Sequence, residues 1–249
     1  MCFWWLLPER DHRHGKMVVL TPRGIALKSR REHAAAFDFP AASGPHSFKR
    51  RLECLLAGIL FVLCLPLMAV TALVVWTSLG LPLFFHQARV GAGMRVFTVR
   101  KFRTMTDQRG PDGLLLPDIM RQTGATRLLR RLRLDELPQL LSVLSGDMSL
   151  VGPRPLPFAT VAAFGDLGRI RSLVAPGLTG WAQVNGNTRL SDQDKVALDL
   201  WYVANASLWL DIKILLLTLK MLLAGERVHV GRLRLAKEFL SDRWMSSAE

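Results

Sequence analysis

The fold is decided by the run Cys54–Phe85, CLLAGILFVLCLPLMAVTALVVWTSLGLPLFF, which contains no Asp, Glu, Lys, Arg or His in 32 residues. About 20 apolar residues are enough to cross a bilayer. A run of this length is not expected in a water-soluble DNA-binding domain. We expect no signal peptide before it, because Cys2–Leu7 is too short for one and Glu9 and Asp11 follow at once. The sequence therefore predicts a membrane protein held by an internal segment.

Two arrangements of this run compete, a Pro-kinked spanning helix and a re-entrant helical hairpin. Pro66 lies in its middle, and the residues before it, Cys54–Leu65, extend only about 18 Å, less than a bilayer core of about 30 Å. A bend is expected at Pro66, which lacks a backbone donor. Both flanks are basic, and the positive-inside rule places both on the cytoplasmic side, which favours the hairpin. The basic flanking residues are Lys49, Arg50 and Arg51 before the run, and Arg89, Arg95, Arg100, Lys101 and Arg103 after it.

The composition restricts the remaining function classes. The chain of 249 residues carries 33 Lys and Arg against 20 Asp and Glu, a net charge of +13, which points to nucleic acid, phosphate compounds or an anionic membrane. Hydrophobic residues make up 50% of it, which excludes disorder throughout. The three cysteines, Cys2, Cys54 and Cys64, have no metal-ligand spacing, so a zinc module and a disulfide scaffold are excluded.

The pattern along the chain predicts an α+β fold that is mainly helical. We divide it into a flexible extension (1–47), the membrane element (48–85), a domain at 86–225 and a C-terminal tail (226–249). Alternating β-branched and basic residues at 86–105 predict a small β-hairpin. Leucines at threes and fours from Thr126 onward, and the pattern at 191–203, predict helices. The apolar stripe from Leu208 to Leu223 predicts an amphipathic helix, either in the membrane interface or against the protein core.

Adjacent carboxylates at Asp135 and Glu136 are the chemical feature of the domain. Four arginines stand within nine residues upstream: Arg127, Arg130, Arg131 and Arg133. On an α-helix neighbouring side chains point about 100° apart, so that one carboxylate could attack an electrophile while the other holds a metal ion. Arginines would lower the pKa of the carboxylates and bind phosphate oxygens. Read alone, the pair is equally compatible with charge pairs on an exposed helix face.

Four motifs in this order resemble the bacterial sugar transferase family, the monotopic polyprenyl-phosphate phosphoglycosyl transferases. They are KFRTM at 101–105, LDELPQ at 134–139, GDMSLVGPRP at 146–155 and PGLTGWAQVNG at 176–186. The resemblance covers residues 48–225. Members of this family initiate the assembly of capsule, exopolysaccharide, lipopolysaccharide O-antigen and glycoprotein glycans.

The resemblance implies roles for individual residues. Asp135 matches the family's aspartate nucleophile, and Glu136 matches its Mg²⁺-binding neighbour. Asp211 matches a further acidic position near the substrate phosphates. The basic positions near those phosphates are matched by Lys101, Arg130 and Arg154.

The resemblance also implies the membrane arrangement. Lys49, Arg50 and Pro66 match the family's re-entrant helix, which would give a monotopic protein with interfacial amphipathic helices. Two positions depart from the family pattern: Glu53 stands where Asp is common, and Leu65 stands where Ser commonly precedes the proline.

The implied reaction transfers a C1-phosphosugar from a nucleotide diphosphate sugar, a UDP-sugar, to undecaprenyl phosphate. The products are a polyprenyl diphosphate sugar and UMP, and the catalyst is a Mg²⁺-dependent enzyme on the cytoplasmic face of the bacterial inner membrane. Its expected partners are these substrates and membrane lipids, and nucleic acid is not expected. The sequence leaves open whether the protein forms a homo-oligomer. The alternatives are a membrane-anchored nucleic-acid-binding or scaffold protein, which would use the same charge, and a membrane phosphatase. The sequence does not specify the sugar.

Overall fold

The structure, a computed structural model, describes residues 46–245, so the predicted extension at 1–47 lies outside the described residues except for its last two. The described part is mainly helical with two small two-stranded sheets, which confirms the α+β class. Its α-helices are α1 (His46–Leu79), α2 (Gly124–Arg131), α3 (Leu140–Ser145), α4 (Phe158–Ala163), α5 (Asp166–Arg171), α6 (Trp181–Val184), α7 (Asp192–Asn205), α8 (Leu208–Ala224) and α9 (Val230–Met245). Its strands are β1 (Phe84–Val90), β2 (Val96–Phe102), β3 (Ser149–Val151) and β4 (Gly177–Thr179), and 3-10 turns form at Ala92–Met94, Leu134–Gln139 and Asn187–Arg189.

The predicted apolar element is confirmed as helix α1. By length and composition, the part Phe48–Leu79 could cross a membrane, and no other helix among residues 46–245 meets that criterion. Pro66 lies inside the helix, which is one unbroken element of 34 residues rather than two helices joined by a loop. A straight α-helix of this length would extend about 50 Å.

Both ends of α1 are fixed to the same domain by arginine side chains. Near its start, Arg50 donates hydrogen bonds to the carbonyl oxygens of Val143 (2.5 Å) and Met148 (3.2 Å), at the end of α3. At its other end, Arg103 donates to the carbonyl oxygen of Leu79 (2.5 Å). The last carbonyls of a helix have no partner within it, and Arg103 supplies one at the end of α1.

One face of α1 packs on the domain and the other is exposed. Ala57 and Val75 on the packed face are fully buried. The opposite face carries large apolar side chains that are 55–70% exposed: Leu55, Val62, Leu63, Val70, Leu73 and Trp76. So extensive an exposed apolar surface is typical of a membrane or protein contact.

The predicted β-hairpin is confirmed. Strands β1 and β2 pair in antiparallel register from Phe84 opposite Phe102 to Val90 opposite Val96. Phe102 is buried and packs with Val75 of α1, so the hairpin is tied to the apolar helix. This contact brings the end of β2, which carries the first motif, next to the end of α1.

The second sheet depends on glycine. Strands β3 and β4 are parallel, with Ser149 opposite Gly177, and the loop that follows β3 lies against β4. A Cβ atom on Gly177 would lie 2.0 Å from the backbone nitrogen of Gly152, which leaves no room for a side chain. The close contact holds the segments of the third and fourth motifs together.

Helix α8 presents two different faces. Leu210 and Ile214 are buried in the core. Apolar side chains at helical spacing on the other side are 41–90% exposed: Leu208, Ile212, Leu216, Leu219 and Leu223. The two interpretations of this helix, interface and core, therefore each describe one of its faces.

The segment assigned to the C-terminal tail contains α9, which packs on α7 through contacts such as the 2.6 Å ion pair of Lys237 with Asp194.

We expect Gly177→Ala to lower the free energy of unfolding by about 3 kcal/mol or more, because the new methyl group meets backbone atoms that cannot move aside. The matched control is Gly231→Ala in α9, where no atom lies within 4 Å of the new Cβ. That change should raise stability by about 0.5–1 kcal/mol through helix propensity. Denaturant unfolding of both variants in detergent measures the difference, and equal effects would contradict the close contact of β3 and β4.

Candidate active site

The two adjacent carboxylates lie in the 3-10 turn Leu134–Gln139, not in an α-helix as the spacing of the leucines suggested. Arg133, just before the turn, has a left-handed backbone with φ of 58°, which ends the helical course of α2, and Pro138 lies inside the turn. Three residues per turn place neighbouring side chains about 120° apart. Asp135 and Glu136 therefore still point in different directions, and both are buried, with 5% and 8% of their surface exposed.

Glu136 is held by two arginines. Its Oε1 lies 2.5 Å from Nη2 of Arg154, and its Oε2 lies 3.2 Å from Nη1 of Arg133. Burial on its own would raise the pKa of the carboxyl group. The charges and hydrogen bonds of Arg154 and Arg133 outweigh it and hold the pKa at about 2. Glu136 is therefore ionised at any physiological pH.

Asp135 has the opposite environment. Among the described residues, no other side chain forms a hydrogen bond or ion pair with its carboxylate. Burial raises its pKa to about 6, and the neighbouring charge of Glu136 adds to the rise, while Lys101 and Arg130 limit it. The group is ionised at neutral pH but lacks the partners that would stabilise the charge. A carboxylate with a raised pKa that faces a cavity is a candidate for a reactive group.

Both carboxylates line a cavity of about 790 Å³, large enough for a nucleotide-sized ligand. The basic side chains around it outnumber the acidic ones by nine to five, which suits a ligand with several negative charges. The basic residues are Lys101, Arg127, Arg130, Arg131, Arg133, Arg154, Arg171, Arg189 and Lys195. The acidic residues are Asp135, Glu136, Asp192, Asp199 and Glu226.

The structure brings together most of the residues that the sequence singled out. Asp135, Glu136, Lys101, Arg130 and Arg154 all line this cavity, although they come from four separate segments of the chain. Within residues 46–245, the side chains of Lys101 and Arg130 form no ion pair at salt-bridge distance. Their charges are therefore available to an anionic ligand.

Asp211 is not part of this cavity. Its Oδ2 lies 2.7 Å from Nζ of Lys49, and its Oδ1 accepts a 2.7 Å hydrogen bond from Tyr202. Glu53, which departs from the family pattern, joins the same buried group and accepts a 2.5 Å hydrogen bond from Ser149. Asp211 therefore lies apart from the cavity that the other predicted site residues line, and its role near the substrate phosphates stays a prediction. Together with Lys49 it ties the start of α1 to α8.

Two residues of the site were missed by the sequence analysis. Arg133 is one of the upstream arginines but was not singled out, and it pairs with Glu136 from a residue with a left-handed backbone. Glu226 follows α8 and lies 3.4 Å from Nη2 of Arg133. It also accepts hydrogen bonds from Asn187 and from the backbone nitrogen and hydroxyl of Thr188. These contacts span 38 to 93 residues of sequence, and no local pattern signals them.

The oxygen donors of the site can be compared with the needs of Mg²⁺. The described residues contain no group of three or more His, Cys, Asp or Glu that could hold a metal ion by itself. Mg²⁺ commonly binds through one or two carboxylates and takes its other ligands from phosphates and water. Asp135 and Glu136 fit that pattern, because no side chain within residues 46–245 binds Asp135 and each oxygen of Glu136 retains a second lone pair. The residues present fit a Mg²⁺ ion that arrives with a diphosphate.

Comparison with known proteins agrees with this geometry. A family model described as bacterial sugar transferase matches residues 45–225. The chain is 45% identical over 199 residues to the "Uncharacterized sugar transferase EpsL" of Bacillus subtilis (strain 168), covering 80% of this chain and 98% of that protein. It is 40% identical over 186 residues to the UDP-N-acetylgalactosamine-undecaprenyl-phosphate N-acetylgalactosaminephosphotransferase of Aeromonas hydrophila. That match covers 71% of this chain and 44% of the relative.

A third relative is the UDP-glucose:undecaprenyl-phosphate glucose-1-phosphate transferase of Klebsiella pneumoniae. The chain is 35% identical to it over 192 residues, which cover 73% of this chain and 41% of the relative. The chain thus matches less than half the length of the two relatives whose substrates are named. It matches nearly all of the first one.

The two carboxylates should affect stability with opposite signs. The folded pKa of Asp135, about 6, exceeds its unfolded value of 3.8, so the ionised group destabilises the fold above pH 6 and has no effect well below pH 4. Asp135→Asn should therefore raise the free energy of unfolding at pH 8 by up to about 3 kcal/mol.

Glu136 has a folded pKa of about 2 against 4.5 unfolded, so its stabilisation is present above pH 4.5 and lost as the pH falls towards 2. Glu136→Gln should destabilise the fold at pH 8 by a similar amount, about 3 kcal/mol. Urea unfolding of both variants between pH 4 and pH 8 tests this. A change of the same sign for both variants at pH 8 would contradict the asymmetry.

Proposed function

The chain belongs to the bacterial sugar transferase family, and on that basis we propose that it transfers a C1-phosphosugar from a UDP-sugar to undecaprenyl phosphate. The products are a polyprenyl diphosphate sugar and UMP. The observation that carries the proposal is the unpartnered carboxylate of Asp135, buried beside a paired Glu136 in a cavity rich in arginine. The relatives from Aeromonas hydrophila and Klebsiella pneumoniae are named for transfers of this type, with N-acetylgalactosamine phosphate and glucose 1-phosphate.

The first step is attack by a carboxylate oxygen of Asp135 on the phosphorus atom that bears the sugar. The bond from that phosphorus to the bridging oxygen breaks, and UMP leaves with the electron pair. The enzyme then carries an aspartyl phosphosugar. A carboxylate nucleophile of this kind divides one difficult displacement into two easier ones.

The second step regenerates the enzyme. A phosphate oxygen of undecaprenyl phosphate attacks the same phosphorus, and the carboxylate of Asp135 leaves. Each displacement takes place opposite the breaking bond, so the lipid phosphate enters where the UMP phosphate left. The two substrates therefore use the same part of the cavity in turn.

The basic residues make the first step feasible. A carboxylate that approaches a diphosphate is repelled unless positive charge neutralises both groups. Lys101 and Arg130 act on Asp135 electrostatically, and neither is committed to an acidic partner among the described residues. Arg154 forms its ion pair with Glu136, and its guanidinium group can contact a phosphate oxygen as well because it has five donors.

Mg²⁺ is proposed as the cofactor, held by Glu136 together with the diphosphate and water. When bound, it would neutralise charge on the phosphate oxygens and so stabilise the transition state. Glu136 suits this role because it remains ionised at every working pH. Arg154 and Arg133 keep its carboxylate in one orientation.

We also propose a monotopic arrangement, in which α1 enters the bilayer and returns to the cytoplasmic face of the inner membrane. Support comes from the two ends of α1, which are both hydrogen-bonded to the same domain through Arg50 and Arg103. A helix that crosses about 30 Å of hydrocarbon cannot keep both ends on a domain that lies on one side. Pro66 supplies the point where the helix can bend, and the exposed apolar face of α8 lies in the interface beside it.

The covalent route predicts an exchange reaction. Enzyme, Mg²⁺ and the correct UDP-sugar, without lipid, should move labelled UMP into UDP-sugar, because the first step is reversible and needs no acceptor. Asp135→Asn should abolish the exchange. Direct attack by the lipid would give exchange only in the presence of lipid product, and release of inorganic phosphate would instead identify a phosphatase. A panel of UDP-sugars with radiolabelled UMP provides the measurement.

Metal dependence should separate the two acids. Removal of divalent ions with EDTA is expected to stop transfer. Glu136→Gln should weaken Mg²⁺ binding, so that part of the activity returns at high Mg²⁺, whereas no concentration of Mg²⁺ should rescue Asp135→Asn. Titration of transfer activity against Mg²⁺ tests both variants, and equal rescue would contradict the division of roles.

The membrane arrangement predicts the accessibility of the two flanks of α1. Single cysteines at Ser47→Cys and Gln108→Cys, in a background without the native cysteines, should both resist an impermeant maleimide in spheroplasts. Both should react after lysis, which controls for reactivity. Labelling of one position only before lysis would show a full span and reject the monotopic arrangement.

A further inference from the structure

The backbone around Arg154 is held by hydrogen bonds to three of its carbonyl groups. The oxygen of Pro153 accepts a 2.9 Å hydrogen bond from the nitrogen of Gly177, and that of Leu156 accepts a 3.0 Å bond from an amide of β1. The carbonyl oxygen of Arg154 itself accepts its bond from a side chain, the guanidinium group of Arg171. Arg171 therefore helps to hold the backbone from which the Arg154 side chain extends.

Arg171 is in turn fixed by an acid. Its Nε lies 2.7 Å from Oδ2 of Asp199, and both side chains are only 4% exposed. Arg171 is the last residue of α5 and Asp199 lies within α7, so the pair joins two helices at the wall of the cavity. A buried arginine needs such a partner, because an unpaired charge in the interior is strongly unfavourable.

We propose that Arg171, oriented by Asp199, is a positioning residue that directs Arg154 towards Glu136 and the substrate phosphate. The sequence of contacts runs from Asp199 to Arg171, to the carbonyl oxygen of Arg154, and from the guanidinium group of Arg154 to Glu136. The inference rests on the proposed function and assigns a role to two residues outside the four motifs.

The geometry distinguishes this role from direct binding of phosphate. Arg171 borders the cavity, but its Nε already donates a hydrogen bond to Asp199 and its Nη2 donates one to the backbone carbonyl of Arg154. A guanidinium group serves both acceptors at once because its donors form a rigid planar fork. A lysine at this position keeps the charge but has a single nitrogen, which cannot reproduce that arrangement.

A double-mutant cycle tests the role. Arg171→Lys should lower kcat by about tenfold to a hundredfold, since small misplacements of a phosphate-binding group are costly, with KM for the UDP-sugar changed by less than about threefold. Asp199→Asn should act in the same direction. In an Arg154→Lys background, Arg171→Lys should cost almost nothing further, because the group it positions is gone. The control is Arg169→Lys on the same helix. The side chain of Arg169 is 42% exposed and pairs with Asp166, so this change should leave kcat unchanged.

Additive losses in the cycle, or a loss confined to KM, would overturn the proposal and favour direct contact of Arg171 with phosphate. A second measurement does not depend on turnover. Hydrogen exchange of the peptide 150–158 should be faster in Arg171→Lys than in the native chain or in Arg169→Lys. The melting temperatures of the three proteins, measured separately, should show that all of them are folded under the conditions of the exchange. Unchanged exchange would overturn the proposed role of Arg171, whether or not transfer activity is found. Absence of transfer with every UDP-sugar would instead reject the proposed function.

Discussion

Arg154 and Arg133 both pair with Glu136, whereas no side chain in the described part of the chain pairs with Asp135, and the proposed chemistry depends on this asymmetry. Two adjacent carboxylates in a buried turn repel one another, and the interior disfavours the charge of each. Because the arginines compensate only one of them, the pKa of Glu136 falls to about 2 while that of Asp135 rises to about 6. One group becomes a permanent anion suited to a metal ion, and the other becomes a carboxylate that is ionised at neutral pH yet poorly stabilised.

The fold produces the asymmetry through one local contact and one contact between separate segments of the chain. Arg133 pairs with Glu136 from the position just before the turn, and Arg154 contacts the same carboxylate from the loop after β3. That loop is held by the close contact between Gly152 and Gly177, where no side chain would fit. Helix α1 packs against the turn that carries Asp135 and Glu136, and both of its ends are hydrogen-bonded to the domain, so the site is built on the apolar helix.

Much of this arrangement could be predicted from the sequence, and the limits have physical reasons. The charge-free run predicted α1, the alternation at 86–105 predicted the β-hairpin, and the motifs predicted five residues that do meet in one cavity. The α-helical course through Asp135 was wrong, because Arg133 and Pro138 convert it to a 3-10 turn. Asp211 lies outside that cavity, and its spacing cannot reveal that Lys49, 162 positions earlier, is its partner. Arg171 and Asp199 form a buried pair 28 residues apart, which no local pattern signals.

The central claim is that Asp135 is the nucleophile, and mass spectrometry of the quenched enzyme tests it most directly. The protein would be mixed with Mg²⁺ and its UDP-sugar in the absence of lipid, quenched in acid and digested. The account predicts a mass increase of one phosphosugar on the peptide that contains Leu134, Asp135 and Glu136, and no such increase in Asp135→Asn. An enzyme that turns over robustly with undecaprenyl phosphate, but shows no adduct on this peptide without it, would contradict the account and make Asp135 a base or a metal ligand.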